Sequence, residues 1–195
     1  MKIFRYITIG ISACITWIII IKPSITFFKS RLNYHSPQLI LVIGGDIDRE
    51  IAGLKVAKAI NLPVLISSSR NPEYSNWLRE NEDVKSDLLR IDYSSNDTLS
   101  NFTSIIDKLH LEGVKHLLYI ISEDNRNQSR VASQIIAGSK GIMLTTLAIP
   151  CGSYCQKEDK RKGNIDILRS VAWVITGKDL KYLFPKISNG KFINN

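Results

Sequence analysis

The chain has 195 residues, 44% hydrophobic and 23% charged, a size and mixture that fit one domain behind a short leader and exclude a disordered tail or a multi-span membrane protein. Its net charge of +8 is uneven: residues 1–31 carry five basic side chains and no acid, residues 32–156 carry 12 basic and 14 acidic, and residues 157–195 carry 9 basic and 4 acidic. The basic excess flanks an apolar segment and fills the C-terminal tail, as on surfaces facing anionic lipid, so nucleic-acid binding, which needs cations gathered on one face, is not expected.

Residues 7–21, ITIGISACITWIIII, are uncharged. At ~1.5 Å per residue they cover about 22 Å, less than the ~30 Å of a hydrocarbon core. Phe4, Tyr6 and Ser24–Phe28 extend the apolar stretch, and Arg5 and Lys22 can snorkel to the interface. The expectation is an uncleaved, single-pass transmembrane helix over residues 1–31, with a linker at 32–38 and a domain over 39–195. The run Ile11-Ser12-Ala13-Cys14 looks like a lipoprotein cleavage box. However, only five residues separate it from Arg5, and the sequence after Cys14 is the more hydrophobic side. Basic residues on the two flanks balance, so charge does not orient the anchor.

Beyond the linker, strand and helix patterns alternate. Leu39–Ile43 is a continuous apolar run, as in a parallel strand buried on both faces, and Gly44-Gly45 ends it. Asp46 and Asp48 offer caps for a helix bearing Ile47, Ile51, Leu54 and Ala57. Pro63–Ser67, Leu88–Ile91, Leu117–Ile121 and Ile142–Ala148 read as four further strands. Tyr74–Glu80 reads as a weak helix, and Asp97 can cap a helix carrying Leu99, Phe102, Ile105, Ile106 and Leu109. Another helix runs to Ala137, and the last, Ile165–Thr176, stops at Gly177. This α/β alternation predicts a five-stranded, mostly parallel, doubly wound sheet of order 3-2-1-4-5. Ligands of such sheets bind at the carboxyl ends of the strands where the order reverses, here between strands one and four. Gly44–Arg49 and Ser122–Arg130 would line that crevice, with Ser67–Arg70 beside them.

Gly44-Gly45 before a helix suits a phosphate or carboxylate, or is simply a tight turn. GGDIDREIAG is not the dinucleotide fingerprint G-x-G-x-x-G, and the phosphate-cradling and nucleophile-elbow motifs are absent as well. Asp46 and Asp48 make the D-x-D of haloacid-dehalogenase-like, magnesium-dependent phosphatases, but Glu50 stands where that motif has Thr; capping is the simpler role. Arg49 and Arg130 could clamp an anion or pair on the surface. Asp97, Thr98 and Asn101 cluster at a helix start. His35, His110 and His116 lie away from strand carboxyl ends, so no histidine base is evident. Cys151 and Cys155 lack the further ligands that zinc needs, and no metal is expected; they stay as two thiols or an extracytoplasmic disulfide.

Together these loops resemble the YdcF-like family, which includes the SanA and ElyC envelope proteins. The matching segments are Ile40–Gly45 with Arg49-Glu50, Leu65–Ser69, Asp97–Thr103, and Arg130 leading to Gly138–Ile142. The resemblance implies a Rossmann-like three-layer sandwich behind a membrane segment, with a polar pocket formed by Gly44, Gly45, Arg49, Ser68, Asp97, Thr98, Asn101 and Arg130. The family usually carries a histidine after strand four. Here Ser122–Arg130 has none, and Asn125 or Asn127 takes its place. Asparagine can hold a ligand but cannot shuttle a proton near neutral pH. The resemblance further implies an envelope-associated, extracytoplasmic protein with membrane lipid and a small phosphorylated or nucleotide-like molecule as partners. Its cofactor and catalytic residues are unassigned, and its role lies in cell-envelope or peptidoglycan-precursor metabolism; the alternative is a non-catalytic membrane scaffold or regulator.

Overall fold

The alternation of β-branched runs and amphipathic stretches folds in the computed structural model as three layers. The structure describes residues 2–33, 35–44, 46–67, 77–78, 80, 87–94, 99–123, 128–150, 160–184, 186–188 and 191–193. Five strands, β1 (Leu39–Ile43), β2 (Val64–Ser67), β3 (Leu89–Asp92), β4 (His116–Ser122) and β5 (Met143–Ile149), form one sheet of order β3-β2-β1-β4-β5. Every pairing within it is parallel, with Ile40 opposite Val64 and Leu118. The expected order is therefore the observed one.

Strand side chains alternate between the two faces, and each face has its own core. Leu39, Leu41, Ile43, Leu65, Leu117, Tyr119 and Ile121 meet Phe102, Ile105, Ile106 and Leu109 of α4 (Ser100–Leu111), Ala132, Ile136 and Ala137 of α5 (Gln128–Ser139), and Trp173 of α6 (Lys160–Thr176). On the other face Ile40, Val42, Val64, Ile66 and Ile120 meet Leu54 and Ala57 of α3 (Ile47–Ile60), together with Leu78. The α3 helix lies so close to β1 that a Cβ on Gly53 would sit 2.4 Å from Val42 Cγ2. Glycine is required there by contact rather than by backbone angle.

The ends of the helices follow their chemistry. Asp46 is the N-cap of α3, its Oδ1 accepting from the Asp48 amide at 3.1 Å, so the D-x-D serves as a cap in this fold. Gly177 ends α6 in the left-handed region, φ +70, and its N–H donates to the Trp173 carbonyl at 2.7 Å. Beyond it, Arg169, buried in α6, forks onto Asp179 and also reaches Asp166, pinning the chain that leaves the helix. A short antiparallel pair, Lys186–Ser188 with Lys191–Ile193, forms a separate two-stranded sheet.

The N-terminal partition differs from the expected one. Helical backbone continues from Lys2 to Leu32 as α1 (Lys2–Thr16), a π-helical turn (Trp17–Ile21) and α2 (Lys22–Leu32). Lys22 N–H bonds back to Trp17 O, the wider π spacing that interrupts the α pattern. Among the described residues, no helix is long and apolar enough to cross a membrane; the transmembrane helix expected over 1–31 is thus not found as one continuous α-helix. Its second part instead docks on the domain. Phe27 packs so tightly on α5 that a Cβ at Gly138 would lie 2.1 Å from its ring, and Arg31 donates to Gln134 at 3.2 Å. The linker after α2 is tied down as well: Gln38 Oε1 accepts from the amides of Lys115 and His116, and the buried His116 ring bridges the His35 carbonyl and Thr145 Oγ1. A carbonyl can only accept, so Nδ1 carries a proton toward His35, and the Thr145 hydroxyl, which can donate or accept, meets Nε2 on the other side of the ring. Cys151, Cys155 and most of the expected 74–80 helix lie outside the described residues.

Replacing Gly53 by Ala tests the α3 contact. We expect a loss of about 1–3 kcal/mol, the usual cost of overpacking, read as a lower urea midpoint at unchanged m-value.

Candidate functional site

The crossovers after β1 and β4 leave in opposite directions, which opens a crevice at the carboxyl ends of these two strands. Arg49, on the first turn of α3, reaches into it. Nε donates to the Ile43 carbonyl at 2.6 Å, Nη2 to the Gly44 carbonyl at 3.1 Å and Nη1 to Ser122 Oγ at 3.2 Å. Ser122, the last residue of β4, donates in turn to Asp46 Oδ2 at 3.4 Å, a long contact. One guanidinium thus ties the end of β1 to the end of β4. It is partly buried and forms no ion pair among the described residues. The guanidinium fork carries more donors than these three bonds use, and no other bond among the described residues takes the rest.

Buried polar side chains collect at the same edge. Ser67, at the end of β2, is fully buried and donates to the Asn101 carbonyl at 3.0 Å, with Asn101 Oδ1 at 3.1 Å. Glu50, beside Arg49, is fully buried under α3. Burying such groups is costly without hydrogen bonds, and together with the buried Ser122 they make the carboxyl ends of β2 and β4 polar. Deeper on the opposite face, burial pushes the Tyr119 phenol far above its ordinary range, the nearby Arg49 charge opposing this. Tyr119 therefore stays protonated, and it packs edge-on against Phe102. The cleft it shares with Ser129, Ser133 and Asp166 has a volume of about 10 Å³, room for one water at most.

The expected site residues divide. Gly44 and Arg49 meet at the crevice, and Asn101 lies beside β2 rather than between β1 and β4. Arg130 is placed elsewhere: it is exposed and lines a groove with Arg31, Gln134 and Thr145 on the α2 side of α5. The two arginines expected to converge on one hollow therefore face different cavities. The Gly44 amide also has a different role from the one expected, because it donates to the Ser67 carbonyl at 2.6 Å and so extends the β1–β2 ladder. Gly45, Ser68, Asp97, Thr98 and Asn127 lie outside the described residues. Ser122 and Ser67 carry more of the geometry than the sequence indicates; their one signal is a hydroxyl ending an apolar strand.

The crevice thus offers a cation held by main-chain carbonyls, a serine hydroxyl and the Asp46 carboxylate. An anionic group can face the guanidinium while Asp46 accepts from a ligand hydroxyl. Among the described residues, no group of three or more His, Cys, Asp or Glu side chains could hold a metal ion. A scan of protein-family models finds no match to the chain, and a search of curated proteins finds none either.

Arg49→Met keeps the apolar stem and removes the donors. Losing the ties from Ile43 and Gly44 to Ser122 should lower stability by about 1–3 kcal/mol, measured by chemical unfolding. An unchanged midpoint would show that the tie contributes nothing.

Proposed function

We propose that this chain is a membrane-anchored protein of the YdcF-like kind. In this reading its carboxyl-edge crevice binds a small phosphorylated or nucleotide-like ligand on the extracytoplasmic side, in envelope or peptidoglycan-precursor metabolism. The observation that carries the ligand reading is the Arg49 guanidinium, held in the β1–β4 crevice without a carboxylate partner among the described residues. A ligand bearing both a phosphate and hydroxyls suits Arg49 together with Asp46. The order and spacing of the loop motifs support the family; the α/β sheet is compatible with it.

The anchor rests on exposure. Ile7, Ile9, Ile11, Ile15, Trp17, Ile18 and Ile20 are each more than half exposed, and a helix apolar all round needs a protein core or lipid around it. Tyr6–Ile21 covers about 24 Å at ~1.5 Å per residue, enough for a thin bilayer with Arg5 and Lys22 at the interfaces. Lys29, Asn33 and His35 line one cavity with Lys115 and Gly141, just before the starts of β4 and β5. The anchor therefore joins the domain at the amino edge of the sheet. The crevice opens at the other edge, about 20 Å away for a strand of this length, and draws its ligand from the aqueous phase.

The second reading, a non-catalytic scaffold or regulator, is favoured by the absence of histidine in Ser122–Arg130. The two readings part in a ligand screen on the full chain in detergent. On the first, a nucleotide or sugar phosphate raises the melting temperature; Arg49→Lys loses most of that shift, and Asp46→Asn weakens the response to hydroxyl-bearing probes. No shift with any of these classes would overturn it.

A further inference from the structure

The docking of α2 on α5 creates a second cationic feature, separate from the carboxyl-edge crevice. A groove of about 280 Å³ lies between them, lined by Phe27, Arg31, Arg130, Gln134, Met143 and Thr145 among others. Among the described residues no carboxylate lines it. Neither Arg31 nor Arg130 forms an ion pair among the described residues, and Arg130 also makes no side-chain hydrogen bond there. Arg31 is held in place by its bond to Gln134 and by stacking 4.7 Å above the Phe27 ring. A guanidinium oriented in advance loses less entropy on taking an anion.

The surroundings have the same sign. On the other side of α2, a cavity of about 230 Å³ is lined by Lys29 and Lys115, with no acid among the described residues. Ser30 lines both cavities. Arg31, Arg130, Lys29 and Lys115, none in an ion pair among the described residues, repel each other and raise the local potential, which an anion relieves. Elsewhere Arg90 pairs with Glu112, Lys140 with Asp107 and Arg169 with two aspartates.

We propose that the α2–α5 groove is an anion site, taking a phosphate or diphosphate group clamped between Arg31 and Arg130. Two guanidinium groups, each a fork of N–H donors, match the oxygens and charge of a phosphate or diphosphate group. Gln134 supplies a neutral polar contact, and Phe27 and Met143 form an apolar flank. Because Arg31 lies on the N-terminal helix and Arg130 on the domain, the bound anion bridges the two and stiffens the joint of the tether. The phosphate could belong to a free ion or to a lipid headgroup. Arg31 lies nine residues past Lys22, about 13 Å along a helix, which is beyond a headgroup layer only ~5–8 Å thick; this favours the free ion.

The test uses the full chain in nanodiscs of zwitterionic phosphatidylcholine, titrated calorimetrically with inorganic pyrophosphate and followed by amide exchange in α2. Binding should be saturable and should slow exchange across α2. Arg31→Gln and Arg130→Gln should each weaken it about tenfold or more, and Arg130→Glu should abolish it. A parallel arm replaces part of the lipid with phosphatidylglycerol and omits pyrophosphate. Protection of α2 that appears only in this arm, and is lost in the same variants, keeps the site and assigns the phosphate to the headgroup. No response in either arm, or a response insensitive to both arginines, overturns the proposal. A pyrophosphate response lost only in Arg49→Lys would move the anion to the crevice, overturning this site while sustaining the other.

Discussion

The connections of a doubly wound sheet must part somewhere, and in this chain they part between the paired strands β1 and β4. Helices on opposite faces carry the chain away from these two strands, and nothing in the β-ladder closes the gap beyond their last residues. Arg49 closes it. By donating to Ile43, Gly44 and Ser122, one side chain fixes the end of β1, the first turn of α3 and the end of β4 relative to one another. The cap at Asp46 and the ladder bond from Gly44 to Ser67 complete the same corner. Whatever the crevice holds, it meets a corner whose geometry is already set.

The second constraint acts at the other edge of the sheet. Phe27 can approach α5 only because position 138 is glycine, and that contact determines how the N-terminal helix leaves the domain. The linker is then pinned by Gln38 and His116. An apolar helix rooted at the amino edge and a polar crevice at the carboxyl edge give the molecule two ends of opposite character. The basic grooves flanking α2 lie at the joint.

Much of the fold was legible because it rests on local rules. A continuous apolar run as short as Leu39–Ile43, closed by Gly44-Gly45, reads as a strand buried on both faces, and the right-handed crossover rule then left few orders for five of them. Gly177 announced a helix end for the same reason it provides one. The strand ends were less legible. His116 and Ser122 belong to β4 although both are polar, because their side chains find partners in Thr145, Asp46 and Arg49 that no sequence window contains. Arg130 shows the limit most clearly. Its position early in the helix after β4 pointed to the crevice, but a helix presents its side chains around a full circle. The docking of α2, a contact across roughly a hundred residues of sequence, drew the groove to the other side. The unexpected place of α2 has the same origin: hydrophobicity marks Thr26–Phe28 as apolar without saying whether lipid or α5 covers them.

The central claim is that the Arg49 guanidinium receives an anion at the β1–β4 crevice, and the side-chain Nε–H resonance of that arginine reports on it most directly. In the full chain in phosphatidylcholine nanodiscs, titration with a nucleoside diphosphate should move the Arg49 signal saturably while the Arg169 signal, locked onto Asp166 and Asp179, stays in place. An Arg49 resonance unmoved at concentrations that shift other sites would contradict the account.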